Sequence, residues 1–104
     1  MMDGFIYVVG QGRLTKVGRS IHRFDRLAAY VTSADELLVW SSPRHARYMD
    51  SEARVISELK GAGLIAKGRE WSNAEFMSVV RIAKRIAAKN MSVDEICGRR
   101  QAAA

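Results

Sequence analysis

The stretch Phe5-Ile6-Tyr7-Val8-Val9-Gly10-Gln11-Gly12-Arg13-Leu14-Thr15-Lys16-Val17 decides the fold. Its first five residues are β-branched, aromatic or both in alternation, the composition of a strand. Gly10-Gln11-Gly12-Arg13 supplies turn residues, and Leu14-Thr15-Lys16-Val17 resumes the strand pattern. Two short strands around a four-residue, glycine-containing loop spell an antiparallel hairpin. On this reading Lys16 lies opposite Tyr7, and Gly18-Arg19-Ser20 leaves the sheet.

The pattern extends outward from the hairpin. Phe24, Leu27, Ala28 and Val31 fall at helical spacing and predict a helix over 23–31. Leu37-Leu38-Val39-Trp40 reads as a third strand, and its unbroken apolar run predicts a central or covered position. Ser42-Pro43 has the form of a helix start, a capping residue followed by proline at the first helical position. The helix is expected over 44–60, with Ala46, Met49, Ala53 and Ile56 inward and Gly61 or Gly63 as its stop. Residues 67–72 are irregular or a brief strand. Asn73 then caps a helix reaching about Lys89, with Phe76, Val79, Val80, Ala83, Ile86 and Ala87 inward and Asn90 at its close. Ser92-Val93-Asp94-Glu95 fits a capping box for a short last helix, and Ala102-Ala103-Ala104 is expected to fray. The order ββαβαα is an α+β arrangement: a small three-stranded antiparallel sheet flanked by helices, with no linker dividing it.

Composition bounds the chemistry. The chain has 104 residues, 48% apolar and 27% charged, enough for one domain with a buried core. Pro occurs once and Gly eight times without a repeat period, which excludes collagen-like and low-complexity classes. No apolar run approaches the roughly 20 residues that span a bilayer, so no membrane association is expected. No secretory leader is expected either, and a cytoplasmic location is the default. The single cysteine, Cys97, leaves no intramolecular disulfide and no multi-cysteine zinc site, and reads as a small buried hydrophobe. Lys and Arg number 17 against 11 Asp and Glu, a net charge of +6 with a pI near 10.0. The excess is spread along the chain, as in domains that bind polyanions, of which nucleic acid is the commonest.

Gly10-Gln11-Gly12 lacks a third glycine at the required place, and Gly61-Ala62-Gly63 follows a helix, so no nucleotide cofactor is expected. His22 and His45 are not at metal-ligand spacing and read as surface or capping residues. Glu52 stands apart. At 100° per residue, with Met49 as zero, Ile56 falls at about −20°, Leu59 at about −80° and Glu52 at about −60°. A carboxylate inside an apolar stripe is costly unless paired, hydrogen-bonded or bound to a cation. A buried ion pair with an arginine and a hard-cation ligand or general base both satisfy that requirement. Glu58 falls on the opposite side. Arg81, Arg85 and Lys89 repeat at four-residue intervals opposite their helix's apolar face, either as a solvated face or as a phosphate-contacting stripe.

Taken together, Phe5-Ile6-Tyr7, then Lys16-Val17-Gly18 followed by Arg19-Ser20, Arg26, Tyr30 and a helical Glu52 resemble the GIY-YIG nuclease family. Lysine in place of the second tyrosine is similar to a phage and bacterial subgroup that also carries an E-W-F-like stretch, here Arg69-Glu70-Trp71. The resemblance covers about residues 4–85. The family's leading glycine is Phe5 here, with Gly4 one place early. The resemblance implies a three-stranded antiparallel sheet with helices around it: a nuclease-like domain over 1–90, and a short C-terminal helix and tail of the same domain over 91–104. It implies a DNA endonuclease using one Mg²⁺ or Mn²⁺. Tyr7 would orient or deprotonate the attacking water, Lys16 would assist or hold phosphate, and Arg26 would bind the scissile phosphate. Tyr30 matches a position often held by His or Tyr, Glu52 would ligate the metal, and Glu70 lies near a later polar position. Arg19, Arg23, Arg81, Arg85 and Lys89 would contact DNA. Two alternatives stand beside this reading: a non-catalytic nucleic-acid-binding module on the same fold, and a small protein-interaction domain whose charge serves solubility.

Overall fold

Seven residues, Phe5–Gln11, of which all but Gln11 are buried, form β1, and the chain returns as β2, Leu14–Ser20. The computed structural model describes residues 3–22, 37–67 and 71–97. Pairing of Gln11 with Leu14 leaves a two-residue loop, Gly12-Arg13, with Gly12 at φ +60°. A positive φ at the first central position is the type II′ pattern, whose twist suits a hairpin and which favours glycine there. The loop is therefore two residues shorter than expected. The register moves by two with it: Tyr7 faces Gly18, and Lys16 faces Val9. A shift of two preserves the face of the sheet, so Tyr7 and Lys16 still share one. Gly18-Arg19-Ser20 stays in β2 instead of leaving the sheet.

The third strand, β3, is Leu37–Ser41, followed by two short strands, β4 (Ile65–Lys67) and β5 (Trp71–Ser72). The order is β3-β1-β2-β5-β4, five strands where three were expected, all pairs antiparallel. β3 is an edge strand and not a central one; Leu38 is 57% exposed, and Val39 is also exposed. β1 lies inside the sheet, paired with β2 along its whole length and with β3 from Tyr7 to Gln11.

Among the described residues there are three helices: α1 (Tyr48–Gly61), α2 (Phe76–Asn90) and α3 (Val93–Cys97). α1 begins four residues later than Ser42-Pro43 indicated. Ser42 accepts the Ile6 N–H through Oγ at 3.1 Å, and Gly4 and His45 bridge as an extra rung, so 42–45 is drawn alongside β1. The inward stripe of α1 is Ser51, Glu52, Val55 and Leu59. Met49, Ala53 and Ala46 are exposed and Ile56 is half-buried, so the stripe is turned from the expected one while keeping Glu52 on it. α2 buries Val79, Val80, Ala83, Ile86 and Ala87 as expected, with Phe76 half-buried, but its N-cap is Glu75 and not Asn73.

The core lies between the sheet and α1–α2. Ile6, Val8 and Val17 meet Val55, Leu59, Val79, Ala83 and Ile86 there, each Val, Leu or Ile contributing about 1.5–3 kcal/mol by leaving water. Phe5, Tyr7 and Val9 form a second cluster on the other face, so β1 is buried on both sides. The capping box forms: Ser92 Oγ accepts the Glu95 N–H at 3.2 Å, and Glu95 Oε1 accepts the Ser92 N–H at 2.9 Å. Glu95 Oε2 also accepts the Ala46 N–H at 2.8 Å, docking α3 onto the approach to α1. Cys97 is exposed rather than buried. Among the described residues no helix is long and apolar enough to cross a membrane.

Candidate functional site

Among the described residues Tyr7 is the largest side chain fully buried. Its ring lies across the backbone of Gly18, its partner on β2. A Cβ at Gly18 would overlap Cζ and the hydroxyl oxygen of the phenol, so that position has no room for any side chain. The second glycine of the motif thus has a physical reason: it is the floor on which the phenol rests. The hydroxyl end of Tyr7 reaches across β1 to β2 at Gly18. β5 pairs with β2 only at Thr15 and Lys16, so among the described strands β2 has an open edge from Val17 to Ser20.

Arg19 lies on that same stretch, and Glu52 of α1 reaches it. Arg19 pairs with Ile6, a residue of the helix-facing core, and so projects toward α1. Its Nη1 donates to Glu52 Oε1 at 3.1 Å. The Glu52 side chain is 11% exposed and that of Arg19 is 47% exposed, so the pair is closed on the carboxylate side and open on the guanidinium side. Glu52 therefore has the ion pair that burial of a carboxylate demands. That pair belongs to a sheet edge reachable by solvent and is not sealed in the core. Tyr7 and Glu52 approach the edge from opposite faces, with Gly18-Arg19 between them.

Lys16 is half-buried on the Tyr7 face, two positions along β2 from Gly18. Its Nζ lies 5.8 Å from the centroid of Trp71, which β5 holds opposite it. The sequence offers Trp71 only as part of a motif; its stacking on Lys16 follows from pairing 55 residues apart and leaves no local signal. Arg23, Arg26, Tyr30 and Glu70, and the helix expected over 23–31, lie outside the described residues. Arg81, Arg85 and Lys89 are all exposed on α2. Arg85, however, donates to Glu58 of α1 at 2.6 Å, so part of its charge is already met within the protein. A cleft at the hairpin tip, bordered by Gly12, Arg13 and Phe76, contains none of these residues.

A buried polar chain holds the start of α1. His45 is fully buried and not a surface residue; its Nδ1 lies 2.9 Å from the Pro43 carbonyl, and its Nε2 lies 2.8 Å from Ser51 Oγ. A carbonyl only accepts, so Nδ1 carries the proton and Nε2 accepts the Ser51 hydroxyl proton. Ser51 Oγ in turn accepts from Asn90 Nδ2 at 2.9 Å, and the same amide donates to Asp50 at 3.0 Å. The hydrogen bond from Arg54 at 2.7 Å, then those from Asn90 and the nearby Arg47, hold the Asp50 carboxyl below its ordinary range against an opposing push from desolvation. Ser51 is the residue before Glu52, so this chain fixes the turn of helix from which Glu52 projects. An isolated histidine with neighbours at no ligand spacing carries no sequence signal for such a role.

The donor chemistry suits a hard cation. Among the described residues no three His, Cys, Asp or Glu groups gather at metal-binding distance. A single carboxylate with water and phosphate oxygens is nevertheless an ordinary way to hold Mg²⁺, and Glu52 already attracts a cation. Thiolate-rich and imidazole-rich sites are not formed by these residues. No family model, no curated protein and no solved structure matches this chain at a significant level.

Proposed function

We propose that this protein is a metal-dependent endonuclease that hydrolyses DNA phosphodiester bonds on a GIY-YIG-like fold. The observation that carries the reading is the packing of Tyr7 over Gly18 at the open edge of β2, with the next residue, Arg19, ion-paired to Glu52 of α1. Arg19, beside the second hairpin motif, and the helical glutamate are paired across 33 residues of sequence, with Tyr7 on the opposite face of the sheet.

Hydrolysis adds negative charge to the phosphate's non-bridging oxygens and to the leaving oxygen. Glu52 would hold one Mg²⁺ or Mn²⁺, which when bound supplies positive charge where that negative charge develops. On its motif position Tyr7 would orient the attacking water and take its proton; its side chain is buried on the face opposite Glu52. A phenol titrates near 10 and serves as a base only with positive charge nearby; Lys16 shares its face of the sheet. Arg19, with Arg26 in the role its motif position implies, meets the phosphate as a fork of N–H donors. Tyr30 and Glu70 are kept as members of the site on the motif alone. The basic residues Arg23, Arg81 and Lys89 add sequence-independent attraction to the DNA backbone, and Arg85 does so less because of Glu58.

A specific observation favours a second reading. The Glu52–Arg19 pair meets the carboxylate's need for a partner without any metal, as in a non-catalytic nucleic-acid-binding module on this fold. The two readings separate in one experiment: DNA affinity across a salt series, with cleavage of supercoiled plasmid in Mg²⁺, Mn²⁺ and EDTA. The nuclease binds with salt-sensitive affinity and nicks only with metal. Salt-sensitive binding without cleavage in either metal selects the binding module, and no binding at low salt removes both.

A further inference from the structure

We propose that Arg19 is an exchangeable partner of Glu52: it occupies the cation position of the site in the resting protein and transfers to the substrate phosphate when a divalent ion takes the carboxylate. This rests on the nuclease reading of the same site and assigns Arg19 a direct role on the reacting phosphate, beyond general attraction to DNA.

Three features carry it. The contact runs through one guanidinium nitrogen, Nη1 to Oε1 at 3.1 Å, a length at the long end for a charge-assisted bond. The two partners differ in burial: Glu52 is nearly enclosed and fixed on α1, whereas the Arg19 side chain is 47% exposed and has solvent to move into. Arg19 also follows Gly18 directly, the residue on which the Tyr7 phenol rests, at the stretch of β2 that no other described strand covers. A released guanidinium can therefore swing past the open edge without displacing another described strand, and its planar fork matches phosphate oxygens.

The chemistry gives the exchange a direction. A monovalent guanidinium and a divalent ion compete for one carboxylate, and the doubly charged ion has the stronger field at contact distance. An arginine left on Glu52 would lower metal affinity and keep its own donors from the phosphate. Released, it adds a cation to the phosphate when the metal is loaded. The pair thus guards a buried carboxylate when the site is unloaded and contributes to catalysis when it is loaded.

The test reads two quantities of opposite sign. Mn²⁺ binding to wild type, Arg19→Ala and Arg19→Lys is measured by electron paramagnetic resonance without DNA, and plasmid cleavage is measured at saturating Mn²⁺. Glu52→Gln serves as the control that locates the ion, and circular dichroism verifies that each variant is folded. Arg19→Ala should bind Mn²⁺ more tightly, by about three- to tenfold, as expected for removing a partly exposed competing pair. The same variant should cleave roughly 100-fold more slowly, the usual loss for one transition-state donor. Arg19→Lys should fall between in both, because it keeps the charge and loses the fork.

Unchanged or weaker Mn²⁺ binding in both folded variants overturns the proposal, since Arg19 would then be a strut. Full cleavage by Arg19→Ala at saturating metal overturns it as well. The nuclease reading fails separately, when wild type binds Mn²⁺ through Glu52 but cuts no DNA; tighter binding in Arg19→Ala would then still establish the competition, while the transfer to phosphate would be refuted.

Discussion

Substituting Gly18 by alanine tests the geometry from which the whole site is built. An ideal Cβ at this position overlaps the Cζ, Cε2 and hydroxyl oxygen of Tyr7. Tyr7 is fully buried, with its ring 6.2 Å from that of Phe5, so it has no free volume into which to retreat. Overpacking of this kind costs about 1–3 kcal/mol. A Gly→Ala change at an unstrained position would return about 0.4–1 kcal/mol by restricting the unfolded chain. The net loss is about 1–2 kcal/mol, which for a domain of this size lowers Tm by roughly 4–16 °C. The assay is thermal and urea unfolding of wild type, Gly18→Ala, Tyr7→Leu and the double variant, followed by circular dichroism. Tyr7→Leu removes the atoms that overlap, so Gly18→Ala should cost less than about 0.5 kcal/mol in that background, a coupling between contacting residues. Cleavage by Gly18→Ala should fall roughly 100-fold, the scale of a 1 Å displacement of a reacting group. An alanine at 18 that leaves both Tm and cleavage at wild-type values would refute the packing of Tyr7 on Gly18.

Other parts of the account give further outcomes. Ser51→Ala leaves His45 Nε2 and one Asn90 N–H without their partner in the core; unfolding should show a loss of about 1–3 kcal/mol. Glu95→Ala removes the reciprocal cap of α3 and the acceptor for the Ala46 N–H; hydrogen exchange at Ala46 and Ser92 should accelerate, with a stability loss of about 1–2 kcal/mol. The Asp50 carboxyl is held below its ordinary 3.8 in the folded state, first by its hydrogen bond to Arg54. Its contribution is therefore complete above that value and is lost as pH falls through the lower folded value. Arg54→Ala should weaken this acid-range loss in a pH series of urea midpoints while leaving the neutral-to-alkaline profile unchanged.

Much of the fold was legible because its signals are local. The β1–β2 hairpin, the inward face of α2 and the Ser92–Glu95 cap each follow from residues within a few positions of one another. The parts that misled depend on distant partners. Ser42-Pro43 has the pattern of a helix start, but the Gly4–His45 bridge draws it beside β1 and delays α1 to Tyr48. The apolar run in β3 looked central, yet Leu38 projects into solvent on an edge strand. A loop two residues too long moved the expected partner of Tyr7 from Gly18 to Lys16.

The site divides in the same way. Helical angles alone put Glu52 on the buried stripe, between Ile56 and Leu59, although Met49, from which they were counted, is exposed. Its pairing with Arg19 crosses 33 residues and needs the sheet and α1 brought together. His45 is another example: only the folded chain sets Ser51 and Asn90 against it. The expected roles of Arg26, Tyr30 and Glu70 rest on motif position.

The central claim is that Tyr7 and Glu52 act together on a DNA phosphate. The most direct measurement is cleavage of supercoiled plasmid in Mn²⁺ by wild type, Tyr7→Phe and Glu52→Ala, each with an EDTA control. The account predicts nicking by wild type alone, abolished by EDTA, with both variants folded and reduced by at least roughly 100-fold. Equal nicking by Glu52→Ala, or none by wild type in either Mn²⁺ or Mg²⁺, would contradict it.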